Sequence, residues 1–266
     1  MDFKPEAAVW NITMRCNMHC KNCGSACTSA YSDELATNEA FRLCDKIGSM
    51  GFSSITLSGG EPTTHPDWDL IALRLHVNNV MPNLISNGWF IDGSVAQRAA
   101  RANINTITIC IEGLEETHDE IRMPGSFERI MNAFTEIKKT PVHLSASTTI
   151  HSGNIRQLPE LLRILENNGV EVWKLQLDLP MGTMAENHDL VADPSCMDAI
   201  IALVNLYYKK TTVDIQFSDC IGYYNVKEIE DRQKKNHTTL YEWNECGAVK
   251  TSMRILHNGE ILKCTP

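Results

Sequence analysis

The chain has 266 residues, 43% of them apolar and 21% charged, with 24 Lys and Arg against 33 Asp and Glu for a net charge of −9. This composition excludes disordered, collagenous and coiled-coil proteins, and it argues against a nucleic-acid partner, because binding phosphates needs a basic surface. The longest apolar run, 199–208, is half of the roughly 20 residues a bilayer crossing takes, and no apolar signal core opens the chain, so a soluble cytoplasmic protein with no membrane partner is expected.

In chain order, hydrophobic periodicity alternates between 2 and 3.6 residues. Strands are expected over 8–14, 54–58, 82–86, 106–111, 142–150 and 170–177. Helices are expected over 33–49, 68–78, 94–101, 127–138, 155–167 and 196–208, with Asp33 and Ser126 as N-caps and Gly169 closing the fifth. Six βα units in strict alternation imply an α/β fold, a partial (β/α)6 TIM-like barrel over residues 1–217. After 212–217 the alternation stops, and 227–236 reads as a charged helix bridging to a second region. There 253–256 and 261–263 flank Asn258-Gly259, a type I′ hairpin signal that would set His257 opposite Glu260 and Cys264 opposite Met253. Cys246 and Cys264 then lie at the open end of the hairpin, within reach of one metal site. Residues 218–266 are therefore read as a bridge and a small C-terminal β-hairpin/helix cluster-binding extension.

The ten cysteines are unevenly spread, with Cys16, Cys20, Cys23 and Cys27 within twelve residues. In a reducing compartment, clustered thiols hold metal more often than they form disulfides. Cys16, Cys20 and Cys23 form C-x3-C-x2-C in the loop after the first strand, on the face where barrel enzymes build active sites. Three thiolates ligate three irons of a [4Fe–4S] cube and leave the fourth open to an exogenous ligand. Counting Cys27 as a fourth ligand gives a closed cluster or a zinc site; the preferred reading makes Cys27 a packed thiol of the loop. After the second strand, Gly59-Gly60-Glu61-Pro62 is either a tight turn or a place where the backbone approaches a ligand and Glu61 meets an ammonium. Gln176 and Asp178, at the end of the sixth strand, face the same side and are candidates for contact with cofactor or substrate.

Together the cysteine loop and the glycine turn resemble the radical S-adenosylmethionine (SAM) superfamily over about 8–217. The resemblance implies that Cys16, Cys20 and Cys23 hold a [4Fe–4S] cluster whose open iron chelates SAM. Gly59-Gly60-Glu61-Pro62 is similar to the family's GGEP element, which holds the methionine amino group, and Ser86-Asn87-Gly88 resembles its T-N-G. Ile111-Glu112-Gly113, followed by His118-Asp119 and Ile121-Arg122, is similar to S-x-D-G…H-D-x-x-R, which would place Glu112 near the SAM ribose. Three positions depart from the pattern: Asn22 stands where an aromatic residue is frequent, Cys110 where Ser is usual and Glu112 where Asp is usual. The C-terminal Cys246, Gly259 and Cys264 resemble the opening of a SPASM or twitch domain, implying an auxiliary iron–sulfur cluster whose ligand set is completed elsewhere, with Cys220 as the internal candidate.

The resemblance implies reductive cleavage of SAM to a 5′-deoxyadenosyl radical and hydrogen abstraction from a peptide or protein, in the maturation of a ribosomal peptide. A flavodoxin or ferredoxin would supply the electron. Because only a few residues precede the first strand, a leader peptide would be bound by a separate protein or by further C-terminal chain. Sulfatase maturation, tetrapyrrole modification, a non-catalytic iron–sulfur electron carrier and a structural zinc protein are the alternatives. Met18 and His19 are expected to pack the cysteine loop, and 181–184 to form a flexible, gap-filling loop.

Overall fold

The computed structural model describes residues 5–177, 179–207, 210–217, 247–248 and 250–262. In these residues β1 (Ala7–Thr13) leads to α1 (Thr37–Ser49), β2 (Ser54–Gly59) to α2 (Trp68–Val77) and β3 (Met81–Ser86) to α3 (Gly93–Arg101). Next, β4 (Thr106–Cys110) leads to α4 (Glu115–Ile121) and α5 (Ser126–Ile137), β5 (His143–Ile150) to α6 (Leu158–Asn167) and β6 (Val172–Leu177) to α7 (Met197–Tyr207). The remaining strands are β7 (Asp214–Phe217), β8 (Ser252–Ile255) and β9 (Ile261–Leu262). All nine strands form one open sheet in the order β7-β6-β5-β4-β3-β2-β1-β8-β9, parallel throughout except for β8 with β9. This is the expected partial TIM-like half-barrel. No helix among the described residues is long and apolar enough to cross a membrane.

Strand side chains alternate between two faces. Ile55 and Leu57, Leu84, Ile107 and Ile109, Leu144 and Ala146, and Trp173 and Leu175 are buried and join the helices in one core. The intervening positions (Ser58, Ile85, Cys110, Ser147, Thr149 and Gln176) line a cleft on the other face. Apart from Ile85, polar and small residues at those positions leave the concave side open to a ligand, while the apolar face holds the helices.

Three local expectations are corrected. α1 begins at Thr37, not at Asp33; Glu39 accepts from Ala36 N at 3.0 Å, and Asp33 instead meets His257 Nε2 at 3.2 Å and Asn258 Nδ2 at 3.3 Å. The hairpin pairs Ile255 with Ile261, one residue out of the expected register, and Leu256 N donates to Glu260 O at 2.8 Å. Its loop is His257–Gly259, where Gly259 at φ 84° takes the left-handed position and Asn258 does not. A three-residue turn of this kind replaces the type I′ pair. Moreover, β8 extends the main sheet beside β1, so the hairpin is part of the half-barrel.

At α5 the N-cap position is Gly125 and not Ser126, and the capping carboxylate is that of Asp119. Asp119 accepts from Gly125 N at 2.5 Å, Phe127 N at 2.8 Å and Ser126 Oγ at 3.1 Å. Burial opposes its charge, but these donors hold the carboxyl below its ordinary value of 3.8. Asp119→Ala is expected to cost about 1–2 kcal/mol, the usual loss for an N-cap. That contribution is complete above the ordinary carboxyl range and disappears as pH falls through the lowered folded value. Urea midpoints of wild type and variant should differ at neutral pH and converge in acid; a constant gap would show that the charge plays no part.

Candidate active site

The C-terminal ends of the strands place the motifs around one cleft of about 240 Å³. Its walls include Cys16, Cys20, Cys23 and Cys27 after β1, Gly59, Gly60 and Glu61 after β2, and Ser86 and Asn87 after β3. Cys110, Glu112, Arg122, Ser147, Thr149 and Gln176 complete it. Pro62 does not line it; it opens the single turn Pro62–Thr64, buried behind Glu61. Cys246, Cys264, Cys220 and Asp178 lie outside the described residues, as does 227–236.

The glycine turn hugs the cysteine loop. Gly60 N donates to Thr13 O at 2.8 Å and Glu61 N to Arg15 O at 2.7 Å. A Cβ on Gly60 would fall inside contact distance of the Arg15 carbonyl, and one on Gly59, at φ 134°, inside that of Thr13 O. Gly60→Ala is therefore expected to destabilise the fold by about 1–3 kcal/mol, as overpacking does. It should also lower the metal content of the reconstituted protein by moving the base of the loop. Denaturant midpoints and iron analysis check both; an unshifted midpoint would mean the approach is looser than described.

Glu61 is 1% exposed. Its Oε1 accepts from Thr63 N at 3.1 Å, Thr63 Oγ1 at 2.5 Å and Ser86 Oγ at 2.9 Å, and its Oε2 from Asn87 N alone at 2.8 Å. Burial pushes its pKa up, while these donors favour the anion. Oε1 is saturated; Oε2 keeps acceptor capacity for a ligand donor. Asn87 Nδ2 also reaches Asn17 Oδ1 at 2.9 Å, tying the third strand end to the cysteine loop.

Glu112, also 1% exposed, is paired with Arg122 and accepts from Thr149 N at 2.9 Å. Burial opposes its ionisation, but the guanidinium beside it holds the carboxyl below the ordinary range. Arg122 Nη1 lies 3.9 Å from Cys20 Sγ, so this pair bridges the β4 end and the cysteine loop. His118 accepts from Glu112 N at 3.0 Å, and burial lowers its pKa to about 4, so it is neutral and structural.

Burial raises the Cys16 thiol to about 11 and raises Cys20 too. Cys23 is lowered to about 5, first by the hydrogen bond from the Cys27 thiol. Cys27 is 4% exposed and its pKa is raised, chiefly by that same bond. Its thiol donates to Ser25 O at 3.8 Å within the loop. Buried thiols become thiolates when a metal cation replaces their protons. Cys16, Cys20 and Cys23 line the same cleft, and three thiols are the donor set of an iron–sulfur cube with one iron left open.

Several supports are invisible in the motifs. Glu34 accepts from Thr13 Oγ1 at 3.0 Å, Met14 N at 2.6 Å and Tyr31 N at 3.1 Å, so it clamps both ends of the cysteine loop. Lys21 N donates to Ile121 O at 2.8 Å and Thr183 N to Cys23 O at 2.9 Å, so α4 and the 182–186 turn brace the loop from outside. Met184 there is fully buried. Met18 is 1% exposed and packs the loop as expected, whereas His19 is exposed and does not. Gln176 Nε2 donates to Thr149 Oγ1 at 3.0 Å on the far wall.

At the open end of the half-barrel the three-thiol loop thus faces a buried carboxylate across one cleft. The sequence profile of the Radical SAM superfamily matches residues 10–170, and the chain belongs to that superfamily. It is similar to the AdoMet-dependent heme synthases of Methanosarcina barkeri, 26% identical over 86% of this chain, and of Oleidesulfovibrio alaskensis, 30% identical over 82%. It spans 66% and 57% of those proteins' lengths. The mycofactocin maturase MftC of Mycobacterium tuberculosis is 28% identical over 62% of this chain and 43% of its own length. Among solved structures, Streptococcus suis SuiB bound to S-adenosylmethionine superposes with a TM-score of 0.76 at 16% identity, over 98% of this chain and 60% of that one, a likeness of fold. Family membership implies a [4Fe–4S] cluster and SAM.

Proposed function

We propose that the chain is a radical SAM enzyme that abstracts hydrogen from a peptide, in the post-translational modification of a ribosomally made precursor. One observation carries the chemistry: Cys16, Cys20 and Cys23 share a cleft with Glu61, whose Oε2 keeps acceptor capacity. In this reading the three cysteines hold the cluster, and Glu61 receives the methionine ammonium of SAM. Ser86 and Asn87 orient that carboxylate, the Gly59-Gly60 backbone lets the ligand approach, and Glu112 and Gln176 line the ribose and substrate side. When bound, the cluster and SAM supply an electron and a 5′-deoxyadenosyl radical that takes a hydrogen atom from carbon. Arg122 keeps Glu112 ionised, and the walls exclude water from the reacting atoms. In the same reading Cys246 and Cys264 serve an auxiliary cluster, and a flavodoxin- or ferredoxin-type protein is the reductant.

The peptide reading is supported by the likeness to the maturase MftC and, in fold, to SuiB, whose structure has also been solved bound to its precursor peptide. A second reading, tetrapyrrole side-chain chemistry, is favoured by the heme synthases' long coverage of this chain. Both are tested by isotope transfer. The reconstituted, reduced protein receives SAM and either the peptide pool or the porphyrin pool from cells grown in D2O. Deuterium in 5′-deoxyadenosine from the peptides alone supports the proposal; transfer from the porphyrins alone replaces it with the second reading. A fully loaded protein that forms no 5′-deoxyadenosine with either pool would reduce it to an electron carrier.

A further inference from the structure

β8 brings one cation beneath the cysteine loop. Arg254 sits opposite Val9 in the β1–β8 register, on the side of the sheet that carries Asn11. Its Nη2 donates to Asn11 Oδ1 at 3.3 Å and to Ser25 Oγ at 3.4 Å, and its Nε is buried with no acceptor. Asn11 is itself 2% exposed. Both oxygens are neutral, and no carboxylate among the described residues forms an ion pair with this guanidinium. Burial lowers the Arg254 pKa, and the opposing charges it feels are those of Cys27 and Cys23. Arg254 is half-buried, and a guanidinium partly withdrawn from water without an anion is costly unless an anion arrives there.

The loaded site supplies one. A [4Fe–4S] core of charge 2+ with three thiolates carries a net charge of −1, and one-electron reduction makes it −2. A fixed cation nearby stabilises the reduced state more than the oxidised one.

We propose that Arg254 is a positioning residue for the N-terminal cluster: its charge, delivered by the C-terminal strand, raises the cluster's reduction potential and so eases its loading with the electron. The proposal rests on Cys16, Cys20 and Cys23 holding that cluster. Through it the 252–262 hairpin, far away in sequence, sets the electron affinity of a site built by residues 16–23.

The test is a redox titration of the reconstituted protein without SAM, followed by the electron paramagnetic resonance of the reduced cluster. Arg254→Gln keeps donors but removes the charge. Asn11→Asp leaves Arg254 in place and neutralises its field with an isosteric carboxylate, without altering the cysteine loop. Each is expected to lower the reduced-to-oxidised ratio at fixed potential about tenfold, which is about 59 mV for a one-electron couple. Arg254→Lys should stay within twofold of wild type. If Arg254→Gln fails to fold or to hold iron, Asn11→Asp decides alone. A ratio within twofold of wild type in a fully loaded Asn11→Asp overturns the proposal, and a shift in Arg254→Lys equal to that in Arg254→Gln overturns the charge argument. A wild type that holds no reducible cluster would instead overturn the cluster assignment itself.

Discussion

Cys20→Ala is expected to lose the reducible cluster and to form no detectable 5′-deoxyadenosine, whereas Cys27→Ala should keep both. The two thiols are equally legible as loop cysteines, but their environments differ. Cys20 is a buried thiol beside Arg122, whose guanidinium lies 3.9 Å from the sulfur and favours a thiolate there. Cys27 is buried too, but its thiol donates to Ser25 O at 3.8 Å, inside the loop and away from Arg122. Removing Cys20 leaves two of three ligands, too few to hold an open-site cube. Removing Cys27 takes away one weak hydrogen bond, and iron and acid-labile sulfide per chain should fall by less than half. Anaerobic reconstitution followed by metal and sulfide analysis separates the two. Equal losses in both variants would make Cys27 a fourth ligand and the cluster a closed one.

Glu61→Gln carries the second large effect, and it acts on both folding and ligand binding. The side chain accepts four hydrogen bonds and donates none. A glutamine of the same shape must turn its NH2 toward Asn87 N or toward the Thr63 and Ser86 donors. Either orientation leaves at least one buried donor facing another donor, which costs about 1–3 kcal/mol. Thermal unfolding of the variant should therefore move to lower temperature. The amide also removes the negative charge that would meet the SAM ammonium, so the KM for SAM should rise at least about tenfold, or about 1.4 kcal/mol. A variant with a lowered melting temperature and an unchanged KM would keep Glu61 as a structural acceptor and move the ammonium site elsewhere. Ser86→Ala should raise KM more weakly, because it removes one of the donors to Oε1 and leaves the charge.

Much of this site is readable from short stretches of chain. The cysteine spacing, the paired glycines and the carboxylate after β4 are local patterns, and parallel strands deliver the loops that follow them to one end of a sheet. Glu61, Ser86, Asn87, Glu112 and Gln176 accordingly arrive together. Pro62 is the exception: its fixed φ suits it to start the turn behind Glu61 rather than to face the ligand. Residues that serve the site from a distance left no local signal. Glu34 looks like one more acidic residue before a helix, and the 182–186 segment like a loose methionine loop. Only their partners, the ends of the cysteine loop, reveal them as clamps.

The α/β class, the six βα units and the exposure pattern of each strand follow from the sequence, because the alternation of apolar and polar residues dictates locally which face must be buried. The cap of α5, the register of the hairpin and the place of β8 beside β1 were decided by tertiary structure. Asp119 reaches the helix start across a turn, Gly259 rather than Asn258 takes the left-handed position, and β8 satisfies the open backbone edge of β1. Those outcomes depend on which distant segment offers donors, acceptors or charge at a given point in space, and no periodicity along the chain encodes that. Arg254 beneath the cysteine loop is the sharpest instance: a lone arginine in a short strand by sequence, and by packing a cation hydrogen-bonded to Ser25 of that loop with no carboxylate partner among the described residues.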